Sequence, residues 1–284
     1  MRMLRAELLK IRRRWASYIV LLLLISFMAL VYVLVGFSIH RGGGTSTAIL
    51  EFPSTYAVID QFAFGLLGSL LAVAYAGAIA GADWNWGVFR LVVARGESRG
   101  GYIVAKFAAI AIALFIGVLI VFLAGIALTF VAGALAGVDV GDPLSSVRGN
   151  DLFRSIYLGY PVLLERAAIG FAVAVLMRSQ VAGIVVGIVL YIGEGILGLL
   201  LTAITVVNSI DGQPTATGVQ WFQFLPFSIG NEVLAHASRL PGEDLASNLQ
   251  TAVGLETAII AVAIYLVLAV GVAVVSVERS QISS

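Results

Sequence analysis

Few residues in this chain could do chemistry, and the familiar arrangements of them are missing. There is no cysteine, which removes disulfides, thiolate nucleophiles and thiolate metal ligands together. The two histidines, His40 and His236, each have an arginine within three residues and read as surface polar groups, so no metal site is expected. Lys10 precedes Ile11 and Lys106 precedes Phe107, so neither completes the Gly-Lys-Ser/Thr of a phosphate-binding loop. A zinc-protease histidine pair and a Gly-x-Ser-x-Gly turn with His and Asp partners are likewise absent, and no catalytic residue is expected. What remains is a trio of ionisable side chains inside apolar runs: Glu165, Arg166 and Glu194. Ionising such a group at bilayer depth costs at least about 2.5 kcal/mol unless it is paired or wet.

The apolar runs that position this trio dominate the chain. Of 284 residues 60% are apolar and 12% charged, with a mean hydropathy of +1.03. A soluble domain of this size carries about 25% charged residues, so the excess needs the bilayer as solvent. Each membrane-spanning helix needs about 20 mainly apolar residues. Six such runs fit: about Ala16 to Phe37, Phe62 to Ala82, Val104 to Gly137, Leu152 to Met177, Val181 to Leu201 and Glu256 to Val277. The reading is an all-α membrane protein, a single transmembrane domain over residues 1–284. The first run has 22 residues and no small-residue cleavage site after it, so it is expected to be a span rather than a cleaved signal. Glu165 and Arg166 lie 13 and 12 residues up span four from Arg178, and Glu194 lies 16 residues up span five. At about 1.5 Å per residue both acids sit roughly 20–24 Å from the Arg178 face, in the outer half of the membrane. An Arg166–Glu194 bridge between spans four and five is therefore feasible; a water-filled substrate path and a proton relay are the other readings of the same residues.

Six spans place both termini on one side. Twelve of the seventeen Lys and Arg fall on that side, four on the other and Arg166 inside a span, so both termini are expected in the cytoplasm. The net charge of +1 gives no reason to expect a nucleic-acid partner. Within residues 1–15, Leu4, Leu8, Ile11 and Trp15 form one apolar stripe with Arg2, Arg5, Lys10, Arg13 and Arg14 away from it. This predicts a basic amphipathic helix lying apolar face down on the anionic leaflet, anchored by those four residues. The cytoplasmic loop over residues 83–103 holds an amphipathic segment, Phe89, Leu91, Val92 and Val93, framed by Arg90 and Arg95 and stopped by Gly96. A helix lying across the cytoplasmic face and fitting a groove on a partner is expected there. The external segment, residues 202–255, is too long for a tight connection; Trp221, Phe222, Phe224, Leu225 and Phe227 around Pro226 predict an element at the outer interface. Gly77 with Gly81, Gly133 with Gly137, and Gly183 with Gly187 are small-xxx-small pairs that let helices approach closely, within one chain or across a dimer.

Taken together, the pattern resembles the membrane subunit of an ATP-binding-cassette (ABC) transporter, of the type-2 permease class that includes bacitracin and lantibiotic-immunity permeases. The basic start, Leu4 to Arg13, is similar to the amphipathic elbow helix of that class. In the loop after span two, Asp83, Gly87, Arg90, Ser98 with Arg99, and Lys106 fall where the class places an acid, a glycine, a base, Ser-Arg and a Lys. The long external segment between spans five and six and the short tail at Glu278-Arg279 complete the likeness. The resemblance implies that a coupling helix from Gly87 to Ala94 docks on a separate ATPase, with Asp83, Gly87, Phe89, Arg90, Leu91, Arg95 and Arg99 at the contact. It implies two ATPase copies carrying ATP and Mg, a second permease subunit of like or unlike sequence, a place in the cytoplasmic membrane, and export of an amphipathic drug, peptide or lipid. An ion-coupled transporter or channel working through Glu165 and Glu194 is the alternative reading.

Overall fold

The computed structural model describes residues 2–42, 47–52, 54–85, 98–143, 146–207, 221–237 and 253–279. Nine α-helices run through them: α1 (Arg2–Arg13), α2 (Trp15–His40), α3 (Ser54–Ala63), α4 (Leu66–Asn85), α5 (Arg99–Ala136), α6 (Ser146–Met177), α7 (Gln180–Val207), α8 (Pro226–Ala237) and α9 (Leu255–Arg279), with 3-10 turns at Thr47–Leu50 and Trp221–Phe224. Six stretches among the described residues are long and apolar enough to cross a membrane: α2, α3 with α4, α5, α6, α7 and α9. The chain is a multi-pass membrane protein with the six spans read from its sequence.

Helices α4 and α6 form the centre, lying against each other; α4 also packs on α7, and α6 on α7, α8 and α9. The outer helices bury only a seam. On α2 the buried residues are Leu24, Met28, Tyr32 and Gly36, one every four residues, and this row lies on α5. The rest of α2, including Leu22, Leu23, Leu30 and Leu34, is exposed apolar surface of the kind a lipid tail covers. Small residues set the closest contacts. A Cβ on Gly77 would stand 2.8 Å from the backbone of Gly183, and one on Gly81 would strike Gln180, so two of the glycine pairs make an α4–α7 seam inside one chain. Gly137, by contrast, ends α5 in the left-handed conformation, with φ of 72°.

Two expectations need correction, and a third is filled in. Span two is two helices: α3 stops at Ala63 and α4 begins at Leu66, and the outer piece, Ser54–Ala63, belongs to what the sequence suggested was loop. The amides of Phe64 and Gly65 both donate to the Asp60 carbonyl, at 2.8 and 3.2 Å, which turns the chain out of the first helix. The stripe on α1 faces protein rather than lipid: Ile11 is buried in the core, Leu4 and Leu8 pack against it, and α1 lies on α5. Trp15 starts α2 and alone of the four remains open, at 81% exposure. Around Pro226 the structure has a 12-residue helix, α8, whose Phe227, Ile229 and Val233 are buried against the bundle. Proline suits its first turn, because the N–H it lacks would have had no helical partner.

Candidate functional site

Among the described residues, two clusters with charged side chains interrupt the apolar bundle. The first lies where α1, α4 and α5 meet, beside residues 86–97. Glu7 of α1, Asp83 near the end of α4, and Tyr102 and Lys106 in the first turns of α5 are all buried. Lys106 Nζ donates to Asp83 Oδ2 and stands 3.6 Å from Glu7 Oε2; the Tyr102 hydroxyl also donates to Asp83. Lys10 pairs with Glu7 at 2.5 Å and Arg14 reaches Asp83 at 3.8 Å. The Lys10 and Lys106 ammonium groups lie 5.7 and 5.6 Å from the centre of the Tyr102 ring. The two buried acids are matched by the buried Lys106 and the half-open Lys10 and Arg14, so every buried charge has an opposite partner and the one surplus positive charge falls on the side open to solvent. About two turns farther along α4, the Ser17 and Tyr75 hydroxyls bond at 2.9 Å and join α2 to α4.

This cluster fastens α1 to the end of α4 and the start of α5, which flank residues 86–97. Asp83 and Arg99 fall within the described residues, with Arg99 opening α5. Gly87, Phe89, Arg90, Leu91 and Arg95, and with them the expected coupling helix, lie outside the described residues. Glu7, Tyr102 and Arg14 were not singled out from the sequence as a site. The usable signal was Glu7 on a helix whose other charges are all basic.

The second cluster is built on Arg166, which has no solvent exposure. Its Nη1 donates to the Phe64 carbonyl at 2.7 Å and to the Ser69 hydroxyl; its Nη2 donates to Asn231 Oδ1 at 2.7 Å. The Ser69 hydroxyl itself donates to the Phe64 carbonyl at 2.7 Å. The α3–α4 break frees backbone carbonyls that in hydrocarbon would find no water, and Arg166 with Ser69 supplies the missing donors. Gly230 makes room, since a Cβ there would sit 3.3 Å from Arg166 Nη2. The face of Tyr191 closes the other side, 5.5 Å from the guanidinium carbon.

The expected Arg166–Glu194 bridge does not form. Glu194 Oε1 instead accepts the Ser228 amide at 2.6 Å, at the start of α8. A helix start offers unsatisfied N–H groups and positive potential, so the carboxylate finds its counter-charge there. Arg166 has turned to the broken helix. Glu165 is fully buried beside it, and neither of its carboxyl oxygens has a hydrogen-bond partner. The Ser155 hydroxyl donates to Asp60 at 2.7 Å, binding α3 to α6 just outside the break. Asp60, the break at Phe64–Gly65, α7 and α8 wall a cavity of about 640 Å³, with Tyr191, Ser228 and Asn231 on its lining.

Comparison with curated proteins gives no match. A family model described as ABC-2 family transporter protein matches residues 3–194, which takes in the first polar cluster and Arg166, Glu165 and Glu194 of the second but not α8. The match covers well over half of the chain, and the six spans and all-helical described residues agree with it. This chain belongs to the ABC-2 family of transporter proteins and is a membrane permease subunit of that kind.

Proposed function

We propose that this permease subunit exports an amphipathic substrate, a drug, peptide or lipid, from the cytoplasm or the inner leaflet, driven by ATP hydrolysis on a separate ATPase subunit. It works as a pair of permease chains, of like or unlike sequence, with two ATPase copies that carry ATP and Mg. It resides in the cytoplasmic membrane with both termini inside, as the distribution of Lys and Arg favours. The observation that carries this reading is the buried cluster of Glu7, Asp83, Tyr102 and Lys106, which ties α1, α4 and α5 together on either side of residues 86–97.

A displacement of that loop by an ATPase would move the three helices as one body, since the charges cannot separate without leaving some of them buried and unpaired. From Asp83, α4 runs about 26 Å to the break at Phe64–Gly65, which Arg166 of α6 and the outer cavity adjoin. Phe89 and Arg90 supply the apolar and basic contacts to the ATPase, within a contact that also takes in Gly87, Leu91, Arg95 and Arg99, whereas Asp83, expected there from the sequence, is buried and bonds Lys106 and Tyr102 instead. Family membership speaks against the ion-coupled alternative through Glu165 and Glu194, whose carboxylates are engaged in separate places or closed off from solvent.

The test is reconstitution of the permease with its ATPase in proteoliposomes. Phe89→Ala with Arg90→Ala is expected to abolish stimulation of ATP hydrolysis while insertion and thermal unfolding stay as in the parent. Stimulation unchanged by the pair would remove the coupling role of this loop.

A further inference from the structure

We propose that this subunit holds one anionic phospholipid of the cytoplasmic leaflet, with an acyl chain in a slot between α2, α4 and α5 and its phosphate at Arg12. The inference is independent of the transported substrate. The slot has a volume of about 350 Å³ and an almost wholly apolar wall, with Leu21 and Leu24 from α2, Leu71 and Ala72 from α4, and Gly117 and Val121 from α5. It exists because α2 rests its seam on α5 and meets α4 only lightly, leaving a gap over the α4–α5 floor.

The size of the slot selects its occupant. Along α5 the lining runs from Ala113 to Val121, a rise of about 12 Å, so the space open to the centre of a water molecule averages about 30 Å² in section, or about 60 Å² from wall to wall. A helix of 10–12 Å diameter fills about 80–110 Å², so a helix of a second copy does not enter. A single hydrocarbon chain does. An empty apolar slot of this kind forfeits contacts along its whole wall, and a chain lying in it restores them.

The mouth selects the head group. Arg12 and Ser17 line the cytoplasmic end, and the Tyr18 hydroxyl donates to the Arg12 carbonyl at 2.9 Å. Trp15 and Tyr18, exposed at 81% and 54%, sit where aromatic rings mark the head-group level. Arg12 is exposed, and Arg5 and Arg13 on the same helix add positive potential, whereas Lys10 is already paired to Glu7. A phosphate head at this rim meets positive charge while its tail enters the slot.

The test uses the full chain, extracted in mild detergent from vesicles of phosphatidylglycerol and phosphatidylcholine in equal parts with matched acyl chains. Native mass spectrometry is expected to find one retained phospholipid per chain, with phosphatidylglycerol preferred about fivefold. Arg12→Ala should erase that preference. Gly117→Phe should abolish retention of either lipid, and because a Cβ at Gly117 meets nothing within 4 Å, the variant can fill the slot without displacing a helix. An unchanged melting temperature for Gly117→Phe shows that the fold is kept. Lipid retention by Gly117→Phe equal to the parent's would overturn the proposal. So would a parent that retains no lipid, or a Gly117→Phe chain whose only change is loss of the dimer, which would make the slot a subunit contact.

Discussion

Replacing Arg166 with methionine keeps an unbranched apolar stem and removes three donated hydrogen bonds, to the Phe64 carbonyl, the Ser69 hydroxyl and Asn231. A bond from a charged donor is worth about 1.5–3 kcal/mol in soluble proteins, whereas polar contacts between helices inside a membrane average about 0.6 kcal/mol. Three such bonds therefore bracket the loss between about 2 and 9 kcal/mol. The Phe64 carbonyl keeps the Ser69 hydroxyl as a donor, which sets the expectation toward the lower end, at about 3 kcal/mol. The assay is unfolding of the purified chain by titration with SDS in mixed micelles, followed by circular dichroism. The decisive comparison is a pair of double-mutant cycles. Arg166→Met with Asn231→Ala should show a coupling of about 0.5–2 kcal/mol, and Arg166→Met with Glu194→Gln a smaller one, below about 0.5 kcal/mol. A larger coupling to Glu194 than to Asn231 would refute the assignment of Arg166 to the broken helix and restore the bridge between spans four and five.

Lys106→Met should cost about 3–5 kcal/mol by leaving Asp83 and Glu7 buried without their shared cation, and adding Asp83→Asn should recover part of the loss; a double variant worse than Lys106→Met alone would contradict the pairing. Gly77→Ala should destabilise, because its Cβ meets the Gly183 backbone at 2.8 Å, while Gly193→Ala, with open space around it, should gain up to about 1 kcal/mol from helix propensity; SDS titration of the two variants side by side checks this. Ile11→Ala should cost about 2–4 kcal/mol and Trp15→Ala much less, measured in the same way; equal effects would mean that α1 does not bind α5 through its apolar stripe.

The spans were legible because a helix in lipid must hide its backbone and show apolar side chains over a fixed length, and composition alone carries that signal. The break at Phe64–Gly65 was not, since the apolar run passes through it without a proline; only Arg166, a charge far along the chain, betrays that backbone groups there need donors. The depth count allowed Arg166 and Glu194 to face each other but could not choose among partners. A helix start and a broken helix offer charge complementarity that no side-chain inventory contains. The stripe on α1 was correctly seen as amphipathic, yet periodicity reports that a face is apolar, not whether lipid or α5 covers it. Asp83 and Lys106 stood out in the sequence as parts of a loop pattern. Their partner Glu7 was hidden because it is about a hundred residues away from Lys106 in the chain.

We hold that an ATPase drives this permease through residues 86–97, and affinity purification of the tagged chain in mild detergent is the decisive experiment. An ATPase subunit is expected to co-purify in stoichiometric amount, and to be lost when Phe89 and Arg90 are both changed to alanine. A folded, partner-free preparation from cells in which the ATPase is present, or an ATPase retained in full by the double variant, would contradict it.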